Sequence, residues 1–291
     1  MQKRITILVF SMLICSLAFC QMKKNSISFS SGAALPISDL GNSIYFNRDP
    51  EFTKLGVHLN FSFEHKINNT FSVCAMIHGQ SNAIKTKAYE SRLSNQAYYI
   101  PNYRYNSVKF PNWKLSKDKW LTSGFLIGGS NEFPIAGKKH RLSLFIKSMI
   151  GMVYSKSPNI TGSSITDTTL ATISIDSKSA VGLSYLFGSG LQYNFASRYF
   201  ILFETQYFST SKLQYKEVKE TFTGAVFPYS KFGYSLTDDL IQSNNTTINF
   251  NVGIGVRLWW WHTVAGSCTQ LGIILKLVIV ILNSISLVLF W

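Results

Sequence analysis

The chain has 291 residues, of which 46% are hydrophobic, 14% aromatic and only 14% charged, against roughly 25% charged in an ordinary soluble domain. So few charges leave a water-facing surface short of solvation and point to a surface in contact with lipid. The formal net charge of +14 suits anionic partners.

At the amino end, Lys3 and Arg4 precede an apolar run from Ile5 to Phe19, and Ala18 and Cys20 form an A-x-A-like cleavage pattern. Residues 1–20 therefore read as a secretory signal peptide removed before Gln21, and stand outside the fold. Phe19 occupies the position where a lipoprotein signal carries a small residue. Removal takes Lys3 and Arg4 from the +14 and leaves +12. An exported chain does not meet nucleic acid, so the expected anionic partners are glycolipid or polysaccharide. Cys15 and Cys20 leave with the signal. Cys74 and Cys268 remain in dissimilar contexts, which makes neither a disulfide framework nor a metal cluster.

Eight period-two segments follow in chain order, at 25–36, 54–66, 70–83, 119–133, 140–155, 180–195, 198–211 and 245–260. Alternation puts successive side chains on opposite faces of a strand. In the second segment Leu55, Val57, Leu59, Phe61 and Phe63 oppose Gly56, His58, Asn60, Ser62 and Glu64. In the last, Ile248, Phe250, Val252, Ile254, Val256 and Leu258 oppose Asn249, Asn251, Gly253, Gly255 and Arg257. Most segments exceed the usual five or six residues of a soluble strand and reach the 9–11 that a tilted bilayer-spanning strand needs.

The connections alternate strictly. Asn68-Asn69, "PIAGKK" and "ASR" are short, while the other four run to about 17, 35, 24 and 33 residues, the pattern of tight periplasmic turns and large outer loops. Lipid offers no hydrogen bonds, so a spanning sheet must close on itself. The expected fold is all-β: a closed antiparallel eight-stranded transmembrane barrel over 21–261, apolar face outward, Asn/Gly/Arg face inward. Trp259, Trp260, Tyr199 and Trp120 are expected in the interfacial aromatic girdles.

The signal ending before Gln21, the first-strand pattern "GAALPISDLGNS" and the terminal strand "FNVGIGVRLWW" resemble those of the eight-stranded outer-membrane β-barrel proteins of Gram-negative bacteria, more narrowly the barrel-domain proteins of Bacteroidetes-type bacteria. The resemblance covers 21–261. It implies a porin-like architecture, residence in outer-membrane lipid and lipopolysaccharide, and insertion by the outer-membrane assembly machinery, which recognises an aromatic-ended last strand. The tail, 262–291, departs from it. Residues 271–291 carry one charge, Lys276, and by length read as a membrane-spanning helix. An aberrant reading-frame extension, a real anchor and an extra apolar strand pair are the three open readings.

No catalytic, cofactor-binding or metal-ligating residue is assigned. His58 and His78 fall on inward faces; if Lys66 lies opposite Thr70 they are direct cross-strand neighbours, expected as hydrogen-bonded filler, with a weak metal site as the alternative. His65, expected to face lipid, approaches Ser72 by turn geometry alone, with no nucleophile elbow or triad. Lys54, Glu64, Glu132, Arg141, Lys147, Glu204 and Arg257 are expected to fill the lumen as an ion-pair network, because eight strands leave no aqueous pore.

The loop from Lys85 to Lys119 carries eight cations against Glu90 and Asp118, interleaved with Tyr89, Tyr98, Tyr99, Tyr103, Tyr105, Phe110 and Trp113. Two readings are open: an anionic-glycan surface using charge and aromatic stacking, or an extended hairpin beside lipopolysaccharide phosphates. The Asn-x-Thr strings at Asn68, Asn159 and Asn245 read as chance. The expected role is structural, adhesive or envelope-maintaining, as a monomer without catalysis. The alternatives are small-molecule transport or ligand binding in lumen or loops, and a lipid-modifying barrel enzyme.

Overall fold

Alternation does what it must in a closed sheet: one face of every strand turns in and the other turns out. The structure, a computed structural model, describes residues 25–37, 53–99, 107–116, 118–136, 141–226 and 230–258. The signal segment 1–20, the tail 262–291, Trp259, Trp260, Tyr103 and Tyr105 lie outside the described residues.

Eight strands close into one antiparallel barrel: β1 (Asn25–Pro36), β2 (Gly56–Lys66), β3 (Phe71–Ala83), β7 (Lys119–Ala136), β8 (Leu142–Lys156), β11 (Ser179–Asn194), β12 (Tyr199–Thr210) and β15 (Thr246–Leu258). Their order round the barrel is β1-β15-β12-β11-β8-β7-β3-β2, the last strand pairing with the first. These are the eight expected segments to within a few residues at each end.

The remaining elements lie in the long connections. They are α1 (Thr86–Asn95), β4 (Ala97–Tyr99), β5 (Ser107–Lys109), β6 (Lys114–Leu115), β9 (Ile160–Ile165), β10 (Thr169–Ile175), β13 (Leu213–Val226) and β14 (Ser230–Ser243). A five-stranded sheet, β14-β13-β10-β9-β6, and a β4-β5 hairpin stand where the sequence reading placed loops. In α1, Tyr89 and Leu93, one turn apart on the same face, are both buried. We call this assembly the cap.

The β2-β3 hairpin corrects the expected register. Lys66 pairs with Ser72, His58 with Gln80 and Asn60 with His78, a slip of two residues that leaves every side chain on its own face. The cause is the turn. Asn68 Oδ1 accepts from the backbone N–H of Thr70 (2.9 Å) and of Phe71 (2.7 Å) and from the Thr70 hydroxyl (3.1 Å). Ile67 N–H donates to Phe71 O at 2.9 Å. An Asx turn of this kind needs more chain than the two asparagines first counted.

Outward side chains form an apolar belt. Phe203, Phe250, Val252 and Ile254 are each more than half exposed, as are Ile150 and Met152, while Asn249, Asn251, His58 and Gln206 across the wall are buried. Along β8 the belt runs from Leu142 to Tyr154, roughly 40 Å of strand and about 30 Å of height at the usual tilt, the thickness of a bilayer's hydrocarbon core. Tyr199, exposed and stacked on Phe195 with ring centroids 6.0 Å apart, marks the short-turn rim. Trp120 does not join a girdle. It lies on the inward face, half-buried, edge-on to Tyr215 at 5.8 Å.

Candidate functional site

The lumen is built in tiers. Near the short turns, Phe145, Phe200 and Leu202 make a small apolar cluster beside two ion pairs. Lys147 Nζ lies 2.8 Å from Glu204 Oε1 with both side chains at most 5% exposed, and Lys66 Nζ lies 2.5 Å from Glu132 Oε2. Glu64 lines the same narrow void as Glu132 and Lys147. Arg257 donates from Nη2 to Asn194 Oδ1 at 2.8 Å and lies 6.0 Å from the centre of the Phe200 ring.

Most of the expected charge network is therefore real, with two corrections. Lys66, not anticipated, partners Glu132. Lys54 and Arg141 are exposed instead of filling the lumen, because each sits just beyond the strand end where inward alternation stops.

Mid-lumen, Asn60 lies between the two imidazoles. Its Nδ2 donates to Gln206 Oε1 at 3.1 Å and approaches His58 Nε2 at 3.2 Å, while its Oδ1 lies 2.8 Å from His78 Nδ1. An amide nitrogen can only donate and an amide oxygen only accept, so this arrangement places both histidines in the Nδ1–H form. The rings are 5.7 Å apart, and His78 stacks on Phe208 at 4.4 Å. Among the described residues no group of three or more His, Cys, Asp or Glu could hold a metal ion. The geometry is that of a packed amide–imidazole layer.

His65 and Ser72 do not meet. His65 Nδ1 is 2.6 Å from Asn25 Oδ1 across the β1-β2 pair, whereas Ser72 is buried on the inward face.

At the long-connection end the lumen is stoppered. Met76, Leu126, Met149, Val153, Leu186 and Phe208 from the barrel belong to one continuous apolar cluster with Tyr89, Leu93, Tyr98, Phe110, Trp113, Ile173, Leu213 and Phe222 from the cap. Tyr98 stacks on Phe222 with centroids 4.5 Å apart and planes 9° from parallel, and Phe110 meets both rings edge-on. Tyr215 donates from its hydroxyl to Ser155 Oγ at 3.0 Å, and Asn245 Nδ2 donates to Thr122 Oγ1 at 2.7 Å, fastening cap to barrel. Glu90 Oε1 accepts the Leu115 N–H at 2.9 Å and ties α1 to β6. Burial pushes the phenols of Tyr98 and Tyr215 up to about 12, with the Glu220 carboxylate adding to the shift at Tyr98.

This corrects the reading of segment 85–119 as an aromatic stacking platform. Tyr89, Tyr98, Phe110 and Trp113 are at most 6% exposed, so they are core. Lys87, Lys109 and Lys114 stay exposed, joined on the cap surface by Lys212, Lys216 and Lys219.

A closed barrel with an oily outside and a polar, packed inside defines the transmembrane β-barrel class. No family model matches the chain, and no curated protein matches it. Solved structures similar to it include Ail, the attachment invasion locus protein of Yersinia pestis (15% identity, covering 81% of this chain and 99% of that one, TM-score 0.37). Others are Neisserial surface protein A (9% identity, 80% and 96%, TM-score 0.38) and a major outer membrane protein from Thermus thermophilus (9% identity, 80% and 98%, TM-score 0.39).

Proposed function

We propose that the chain is a monomeric integral outer-membrane protein whose barrel anchors a compact cationic cap on the outer surface, in a structural or adhesive role without catalysis. One observation carries this reading: a single apolar core runs from the upper lumen into the cap. That continuity supports a display platform. It does not favour a conduit, because Met76, Leu126 and Phe208 occupy the path a solute would take.

With Tyr89, Tyr98, Phe110 and Trp113 buried and Lys87, Lys109 and Lys114 exposed, an anionic polysaccharide meets these described parts of the cap through charge and not through those rings. Such binding is electrostatic and weakens as the Debye length shrinks, from about 10 Å at 0.1 M salt to about 3 Å at 1 M. Insertion by the outer-membrane assembly machinery and contact with lipopolysaccharide belong to the same proposal.

The test expresses the full chain in a Gram-negative host. Outer-membrane fractionation and faster gel migration without heating are expected. A soluble product with unchanged migration overturns the reading. Polysaccharide retention that is insensitive to salt overturns the adhesive part alone.

A further inference from the structure

We propose that the outward face of β2, β3 and β7 holds one acyl chain of a phosphate-bearing lipid, whose phosphate is met by Lys54, Lys119 and Lys156. The proposal rests on the membrane reading above and adds a site to it. The wall of the barrel is not evenly bulky there. The cross-strand row Leu59–Gly79–Ser123 lies between the rows Val57–Ser81–Leu121 and Phe61–Ile77–Phe125. Gly79 faces outward and has no Cβ; one built there would meet nothing nearer than Leu59 O at 4.0 Å.

The small residues Gly79, Ser81 and Ser123 thus make the floor of a groove walled by Leu59, Phe61, Ile77 and Leu121, with a volume of about 120 Å³. It is narrow, open to the side and almost wholly apolar. It lies inside the belt that faces hydrocarbon, so an acyl chain is the occupant its surroundings supply.

The upper end of the groove carries the charge. Lys119 lines it and pairs across the sheet with Ala83. On the other side of Ala83, Lys54 donates its backbone N–H to the Ala83 carbonyl at 2.8 Å. Lys156, on β8, pairs with Leu121 of the groove wall and lies on the outward parity of its strand. Lys54 just ahead of β2, Lys119 on β7 and Lys156 on β8 therefore crown this one side.

Asp118, the acid beside Lys119, directs its carboxylate at the backbone amides of Lys119 and Asn159. Round the rest of the rim the outward positions nearest the strand ends are Leu35 on β1, Ser179 and Val181 on β11, Tyr207 and Ser209 on β12, and Thr246 and Ile248 on β15, none of them charged. Lys178 and Lys212 stand elsewhere on the rim, just outside β11 and β12, so the three lysines at the groove are a local cluster and not the whole charge of the rim. From Lys119 to Ser123 is roughly 13 Å of strand, so a phosphate at the lysines places its chain directly over Gly79.

The experiment titrates the purified full chain in neutral, phosphate-free detergent with phosphatidylglycerol, and separately with an uncharged galactosyl diacyl lipid of the same chains. Binding is read by native mass spectrometry. The first phosphatidylglycerol is expected to bind at least tenfold tighter than the uncharged lipid. Lys119→Gln lowers phosphatidylglycerol affinity about fivefold and leaves the uncharged lipid unchanged, the loss of one cation near an anionic headgroup. Gly79→Phe fills the groove and removes the first tight equivalent of both lipids; Ser123→Leu does the same from the neighbouring strand, should Gly79→Phe fail to assemble. Excess inorganic phosphate does not displace the lipid.

Equal affinity for the two lipids, or groove-filled variants that bind like the parent, means ordinary annular lipid and overturns the site. Each variant is first shown to migrate faster unheated. A folded, membrane-inserted chain without lipid preference refutes the groove and spares the barrel, whereas a soluble parent chain refutes the barrel itself.

Discussion

Lys147→Met is the sharpest probe of the lumen. Lys147 and Glu204 are 5% and 1% exposed at their side chains and 2.8 Å apart, with the Lys147 ammonium also 5.3 Å from the centre of the Phe145 ring. Methionine keeps the length and packing of the lysine stem and deletes the charge. Glu204, 1% exposed at its side chain, is then left buried without the cation that balances it. Removing one partner of a buried ion pair costs about 3–5 kcal/mol. With a urea slope near 3 kcal/mol per molar, the midpoint falls by roughly 1–1.7 M.

The double variant Lys147→Met/Glu204→Gln removes both charges and is expected to recover most of the loss, because a neutral pair has no desolvation debt to leave uncovered. Unfolding in lipid vesicles, followed by the heat-modifiable gel shift and by tryptophan fluorescence, measures both. A single variant within about 0.5 kcal/mol of the parent, or a double variant as weak as the single, refutes a dry, paired lumen.

Phe222→Ala removes the ring that stacks on Tyr98 and holds Phe110 and Trp113; a loss of about 3–5 kcal/mol, confined to the cap, should appear as protease cleavage between residues 160 and 226 while the barrel band keeps its heat shift. Gly151→Ala would set a Cβ 2.0 Å from the Phe125 carbonyl oxygen, too close for backbone to yield, so assembly into the outer membrane should collapse and the unheated fast band disappear. Tyr98 and Tyr215, raised to about 12 by burial, stay neutral in the fold while an unfolded tyrosine ionises near 10. Their contribution to cap stability is thus full below pH 10 and is lost between pH 10 and 12, and absorbance titration should show phenols ionising late; uniform titration near pH 10 contradicts their burial. Spin labels at Val252 and Ile254 should report oxygen-rich hydrocarbon and a label at Asn251 should not; the reverse pattern inverts the barrel.

The barrel was legible because closure in lipid demands uninterrupted period-two strands, and Val252, Ile254, Phe203 and Met152 kept to it. The cap was not, for reasons visible in single residues. In β13 the inward set begins Leu213, Tyr215 and then shifts to Val218 and Phe222. The shift falls at Glu217, which has φ 54° and no partner in the ladder between Lys216 and Val218. The register with β14 is the same on either side of it, so the positive φ, and not an inserted residue, breaks the alternation a reader follows. In β9 and β10 the signal was thin, since Ser164 and Ala171 are buried at positions where a period search wants a large apolar side chain. The aromatics of 85–119 were visible, but composition does not say whether a ring is a surface or a core. Only the partner at Phe222, more than a hundred residues on, decides it. The His58–His78 neighbourhood was found on the correct face, and the Asx turn at Asn68 set its offset.

The stopper has a bearing on the order in which the chain is put together. Asn245 reaches back 123 positions to Thr122, and Thr247 reaches back 167 to Gln80. Both bonds need the last strand in place across the lumen from β3 and β7. Together they tie the start of the closing strand to β7 and β3 across the top of the lumen, so the end of the chain is fastened to elements made long before it.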